Sequence, residues 1–170
     1  MACGEGMKHL KYLVGYPEPL QERVRALLDQ GRLGDVLVQK YPEQHAVRSD
    51  GQLYDYVQEL KDRHLRQSPP LGKVLYDGKL QVLKHALGTH TTVARVQGSR
   101  LKVSREIRIA ALFKDAAPEF LQMIVVHELA HMRHSDHSKA FYQLCTHMAP
   151  EYHQWELDLR LYLTHRERAG

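Results

Sequence analysis

The chain has almost no cysteine, no long apolar run and no glycine-rich phosphate loop, and each absence removes a class of protein. Its two cysteines, Cys3 and Cys145, are too few for a disulfide framework and lack the paired spacing of a thiolate zinc site. The longest uninterrupted apolar stretch, residues 109–113, falls far short of the roughly 20 residues that cross a bilayer. No membrane-spanning helix is expected. The first 21 residues scatter charged, glycine and proline residues where a secretory signal needs an apolar core of about 7–15 residues, which points to the cytoplasm. Neither a Walker-type loop nor an acidic cluster suited to magnesium is present.

What is present suits one folded domain over residues 1–170: 170 residues, 43% hydrophobic and 26% charged, with no internal repeat or linker. The net charge of +4 is uneven. Residues 71–115 hold nine basic and three acidic side chains, a local excess of +6. Leu20, Val24, Leu27 and Leu28 follow helical spacing up to Gly31, and Leu53, Tyr54, Val57, Leu60 and Leu65 roughly repeat it behind a cap at Ser49 or Asp50. The middle alternates. Residues 73–76 precede Asp77-Gly78, a hairpin dipeptide, while Leu101, Val103, Ile107 and Ile109 share one parity and Arg100, Lys102 and Arg108 the other. Residues 80–88 fit neither period. A final helical zone opens with Asp115 as cap and Pro118 in the first turn, and carries Phe120, Leu121, Ile124 and Val125 as its stripe to about Arg133. The class expected is α+β.

Twelve histidines occur, and four of them, His127, His131, His134 and His137, fall within eleven residues. His127-Glu128-Leu129-Ala130-His131 is an HExxH pattern. On a helix, residues four apart lie about 40° apart around the axis and about 6 Å along it, so both imidazoles can converge on one ion. Glu128 is rotated about 100° away, free to act as a general base rather than a ligand. A zinc hydrolase needs a third ligand and an open fourth position. If the helix continued, His134 would lie about 10 Å beyond His127, too far to share an ion bound at about 2.1 Å. Ser135-Asp136 reads instead as a helix stop and a new N-cap, letting the chain turn and return His137. The expected set is one Zn²⁺ at His127, His131 and His137, with Glu128 catalytic. His134 and Asp136 are candidates for outer positions around the ligands, Asp136 reading first as a cap.

Residues 123–148, MIVVHELAHMRHSDHSKAFYQLCTHM, closely resemble the YgjP-like metallopeptidase domain, a family related to SprT-like proteases. The likeness extends to residues 12–18, 32–37 and 94–98. It implies a small zincin, a sheet packed on the HExxH helix, with ligands at His127, His131 and His137 and the catalytic glutamate at Glu128. Many relatives carry Arg-Trp-Gly-Ser-Cys before the metal helix, where this chain has Arg95-Val96-Gln97-Gly98-Ser99. The ligand spacing matches that of metzincins, but His134 replaces their glycine.

The resemblance implies two substrate classes, peptides and UTP. For a peptide, the ion and Glu128 activate water and an edge strand pairs with the extended substrate. Oxyanion candidates are Tyr142, Tyr152, His134 and Arg95. For a nucleoside triphosphate cleaved to monophosphate and diphosphate, the polyphosphate needs cations. Lys79, Lys84, Arg95, Arg100, Lys102, Arg105 and Arg108 lie in the segment expected to wall the site, with Arg95 and Lys102 as candidate substrate-binding residues. A third class, a nucleic-acid-binding module with structural zinc, fits less well: such zinc normally takes four protein ligands and no glutamate base. Aromatic residues for base stacking are also sparse on the basic strands.

Overall fold

Proline and glycine punctuate the N-terminal helices, and in the computed structural model their positions set the first unit of the fold. Residues 8–80, 88–97 and 100–169 are described, with the backbone alone in 8–9, 88–97 and 100–104. They form two compact units, one of Met1–Glu43 with His153–Gly170 and one of Gln44–Tyr152. None of the described helices is long and apolar enough to cross a membrane.

In the first unit, α1 (Glu18–Asp29) starts behind Pro17 with a second proline in its first turn. The chain leaves α1 through Gly31 at φ +66°, a left-handed conformation that a Cβ disfavours. Next come α2 (Leu33–Lys40) and, from the chain's other end, α6 (Tyr152–Ala169). Leu10, Leu13, Val24, Leu28, Leu33 and Leu37 form the core, with Leu157, Leu161 and Tyr162 packed on it. A Cβ on Gly34 would stand 2.5 Å from the His165 ring, so α2 and α6 meet as closely as they do only because this residue is small. Asp158, buried on α6, is neutralised by Lys40 Nζ at 2.7 Å and accepts a hydrogen bond from the Tyr41 hydroxyl.

The second unit holds the HExxH segment. Its first helix, α3 (Asp50–His64), opens with a reciprocal capping box: Ser49 Oγ accepts the Gln52 N–H at 3.1 Å and Gln52 Oε1 accepts the Ser49 N–H at 3.1 Å. Asp50 Oδ1 accepts the Tyr76 N–H at 2.9 Å, tying the start of α3 to β1 (Leu71–Asp77). Tyr76 is buried and its hydroxyl donates to the Val47 carbonyl at 2.6 Å. Burial pushes its phenol up to about 12.

Two more strands, β2 (Gly88–Gln97) and β3 (Arg100–Ala110), complete a sheet of order β1-β3-β2. β2 pairs with β3 antiparallel, while β1 pairs with β3 in parallel. Asp77-Gly78 therefore does not close the hairpin expected of it. Asp77 makes only a local turn, its Oδ1 accepting the Lys79 N–H at 2.9 Å, and the hairpin joins β2 to β3 instead. Of the undecided residues 80–88, residue 88 opens β2, while 81–87 and the link at 98–99 lie outside the described residues.

Ile107 and Ile109 on β3 are fully buried, as the alternation requires. The helix that follows, α4 (Pro118–Ala130), departs from expectation in three ways. Its N-cap residue is Ala117, with no side-chain cap. Asp115 instead pairs with Arg48 at 2.7 Å. It ends at Ala130, short of Arg133, with His131 as C-cap. Rather than one buried stripe, ten of its thirteen residues are buried, the signature of a helix enclosed on all sides. It packs against α3, β2, β3 and α5 (Lys139–Met148), whose Phe141, Cys145 and Met148 face the interior. The architecture is α+β.

The capping box gives a test remote from the histidines. Ser49→Ala removes the acceptor of the Gln52 N–H and keeps the backbone bond to Gln52 Oε1, and should cost about 1 kcal/mol of stability in chemical denaturation while leaving metal content unchanged.

Candidate metal centre

α4 brings His127 and His131 onto one face of its last turn. His131 keeps helical angles, φ −66° and ψ −12°, although it is the cap, so the four-residue spacing still stacks the two imidazoles. Their ring centroids lie 4.9 Å apart. After His131 the chain tightens, with the Arg133 and His134 N–H groups both donating to the Ala130 carbonyl at 3.1 and 3.0 Å. It then turns back. Ser138 is the N-cap of α5, its Oγ accepting the Phe141 N–H at 3.2 Å, and this return places the His137 ring 4.9 Å from His127 and 5.0 Å from His131.

One ligand nitrogen from each of His127, His131 and His137 lies within 4.8 Å of the others, and this is the one such cluster among the described residues. His131 Nε2 and His137 Nε2 are 3.1 Å apart. Tetrahedral coordination at about 2.0–2.1 Å would set ligand nitrogens about 3.4 Å apart, so the donor set fits a metal ion. Phe141 packs against all three rings, at centroid distances of 5.0, 4.6 and 4.9 Å. Burial falls along the set: His127 is buried, His131 half-buried and His137 exposed.

Tautomers follow from the outer hydrogen bonds. His131 Nδ1 lies 2.9 Å from the main-chain carbonyl of His134. A carbonyl only accepts, so Nδ1 carries the proton and Nε2 keeps its lone pair toward His137. Burial holds the His131 imidazole below its ordinary pKa, opposed by that carbonyl and reinforced by His137. Both the tautomer and the neutral state are those of a ligand. His127 Nδ1 lies 2.7 Å from Tyr152 Oη.

Glu128 is 1% exposed, and its Oε2 finds no hydrogen-bond partner among the described residues. Burial pushes its carboxyl up to about 8. A buried carboxylate oxygen left without a partner among the described residues, on the residue that follows His127, is a need that an ion at the three imidazoles would meet. A dication at the imidazoles would draw the Glu128 carboxyl back down, coupling the charge on Glu128 to occupancy of the site.

Several expected roles change. His134 reaches His131 through its main chain, a contribution no side-chain pattern reveals. Asp136 is exposed and caps nothing; Ser138 caps α5 in its place, while the Asp136 carbonyl accepts the Ser138 N–H at 2.8 Å. Tyr152, an oxyanion candidate, is wholly buried with its hydroxyl on the Nδ1 side of His127. Tyr142 remains at the rim, its ring 6.2 Å from that of His137. Arg95 and Lys102 occupy directly paired positions of β2 and β3, but their side chains lie outside the described residues, as does Lys84. Arg108 is held by Asp77 at 3.0 Å and Glu106 at 2.7 Å, which removes it from the expected cationic wall. Arg105 has the strand parity of the buried Ile107 and Ile109, opposite to Arg108.

A family model described as the YgjP-like, metallopeptidase domain matches residues 91–162. UTP pyrophosphatase of Escherichia coli (strain K12) is 56% identical to the chain over 158 residues, which cover 93% of this chain and 95% of the relative. No solved structure matches the chain.

The outer bonds separate the two histidines near the end of the motif. His134→Ala preserves the main-chain carbonyl and should retain one metal per chain, measured by elemental analysis after gel filtration. His137→Ala should weaken binding by more than the roughly 10–100-fold that loss of an outer partner costs. Metal lost from the first variant and kept by the second would overturn the ligand choice.

Proposed function

The chain belongs to the YgjP-like metallopeptidase-domain family, and from that premise we propose that it is a zinc-dependent hydrolase that cleaves a nucleoside triphosphate, UTP foremost, to the monophosphate and diphosphate. The observation that carries the substrate is the 56% identity, over nearly the whole of both chains, to a relative named for that activity. The chemistry is carried by the buried Glu128, whose Oε2 has no partner among the described residues, and by the cluster of His127, His131 and His137. Zinc suits three imidazoles with an open position better than a magnesium-type ion does. The proposed arrangement is that of a zincin, with α4 as the active-site helix and the sheet beside it.

Bound zinc supplies Lewis acidity, polarising the electrophile and acidifying water. His127, His131 and His137 would hold the ion. Glu128 Oε2 takes a proton from the attacking water as its oxygen bonds to phosphorus. The α–β bridging bond breaks, diphosphate leaves, and Glu128 returns the proton to the leaving group or to solvent. Enclosure of Glu128 keeps competing water away and makes its carboxylate a stronger base than one at the surface.

Positive charge for the polyphosphate is assigned to Arg95 and Lys102, cationic residues at directly paired positions of β2 and β3. Like charges at such positions repel, and an anionic ligand would relieve that cost. Arg108 is excluded from this role by its two carboxylate partners. Peptide hydrolysis is the second reading. It is favoured by the family model and by β2, a strand of ten residues that is at the edge of the sheet among the described residues, where an extended chain would pair.

The zinc-loaded protein, assayed side by side on UTP and on an unfolded protein, decides between them. UTP should yield UMP and diphosphate, with the rate falling on the order of 10²–10⁴-fold in Glu128→Gln. Arg95→Ala or Lys102→Ala should raise KM in a salt-dependent way, whereas Arg108→Ala should lower stability and leave KM unchanged. Proteolysis lost in Glu128→Gln, with UTP untouched by the wild type, would reverse the order of the two readings.

A further inference from the structure

The two ligands contributed by α4 are oriented from outside by different kinds of group. His131 is fixed by a main-chain carbonyl, which has one possible role. His127 faces the Tyr152 hydroxyl at 2.7 Å, a group that can donate or accept. Tyr152 is fully buried, and its ring lies nearly parallel to that of His127, 15° off at 6.4 Å, while Phe141 meets His127 edge-on at 5.0 Å. The phenol is itself held in place: its residue opens α6, and its N–H donates to the Ala149 carbonyl at 2.9 Å.

We propose that Tyr152 is a positioning residue of the metal centre, accepting the Nδ1–H of His127 at its hydroxyl so that Nε2 presents its lone pair to the ion. This rests on the metal reading of the three histidines. If His127 binds through Nε2, the one proton of its neutral ring sits on Nδ1, and 2.7 Å leaves Tyr152 Oη as its acceptor. The outer partners of both α4 ligands are then uncharged, a phenol and a peptide carbonyl. Metal-binding imidazoles often lean on a carboxylate, which would lower the net positive charge of the centre. Uncharged partners leave that charge intact, which suits an anionic substrate such as a polyphosphate.

Zinc affinity, measured for the wild type, Tyr152→Phe and Tyr142→Phe by competition with a chromogenic chelator, tests the assignment. Tyr152→Phe keeps the ring and removes the acceptor. It should weaken zinc binding about 10–100-fold with an unchanged circular dichroism spectrum, while Tyr142→Phe should stay within twofold of the wild type. Long-range ¹H–¹⁵N NMR of the zinc-loaded wild type should show the His127 proton on Nδ1, a readout that survives any folding defect in the variant. A folded Tyr152→Phe within twofold of the wild type, or a wild-type His127 protonated on Nε2, overturns the assignment and leaves the metal reading standing. A wild type that binds no zinc overturns both.

Discussion

Enclosure of α4 on every side forces its two polar residues at the C-terminal end, His127 and Glu128, out of water, and the arrangement of the site follows from that burial. A carboxylate moved from water into such a place either takes up a proton or gains a cationic partner. No partner for Glu128 Oε2 occurs among the described residues, so the polypeptide leaves the need open. The three imidazoles converge at the same end of α4. A helix of ordinary amphipathic burial would have put Glu128 at the surface, where its basicity would be that of any solvated glutamate.

How much of this could be read from the sequence depends on the range over which each feature is decided. The four-residue histidine spacing, a cap at Ser49 or Asp50 and the exit at Gly31 are local, fixed by helix geometry and by side-chain chemistry within one turn, and they were legible. So was the return of His137, because a straight helix would carry His134 away from His127. Asp77-Gly78 misled because a dipeptide specifies a turn but not the partner of the strand before it. The parallel pairing of β1 with β3 is set by long-range burial of Leu71, Val74 and Tyr76. Asp136 misled for a related reason. Several residues of the loop could serve as an N-cap, and the one that does is the one whose Oγ meets the Phe141 N–H.

Charge counting shows a similar limit. A surplus of +6 across residues 71–115 suggests a cationic wall, but opposite charges cancel by distance rather than by sequence segment. Asp77 and Glu106, two of the segment's three acids, both close on Arg108. The third, Asp115, is taken by Arg48 from another part of the chain. Two of the three acids thus converge on one of the nine bases and the third pairs outside the segment, so the net charge of a segment does not locate a cationic wall.

The graded exposure of the three histidines bears on how an ion would enter. His127 is held between Phe141 and Tyr152, and His131 is tied by a main-chain carbonyl, so two donors are in place with little freedom to lose. His137 stands exposed in the loop between α4 and α5, one residue before the Ser138 cap. Holding that loop in place costs about 1–2 kcal/mol of conformational entropy for each backbone residue fixed. The cap limits the cost by anchoring the loop where it joins α5, and Phe141 gives the His137 ring an apolar surface to rest on. Two donors set toward the core and a third at the surface would let an ion reach the cluster from solvent without opening the core, because the exposed side of the cluster is the one that His137 forms.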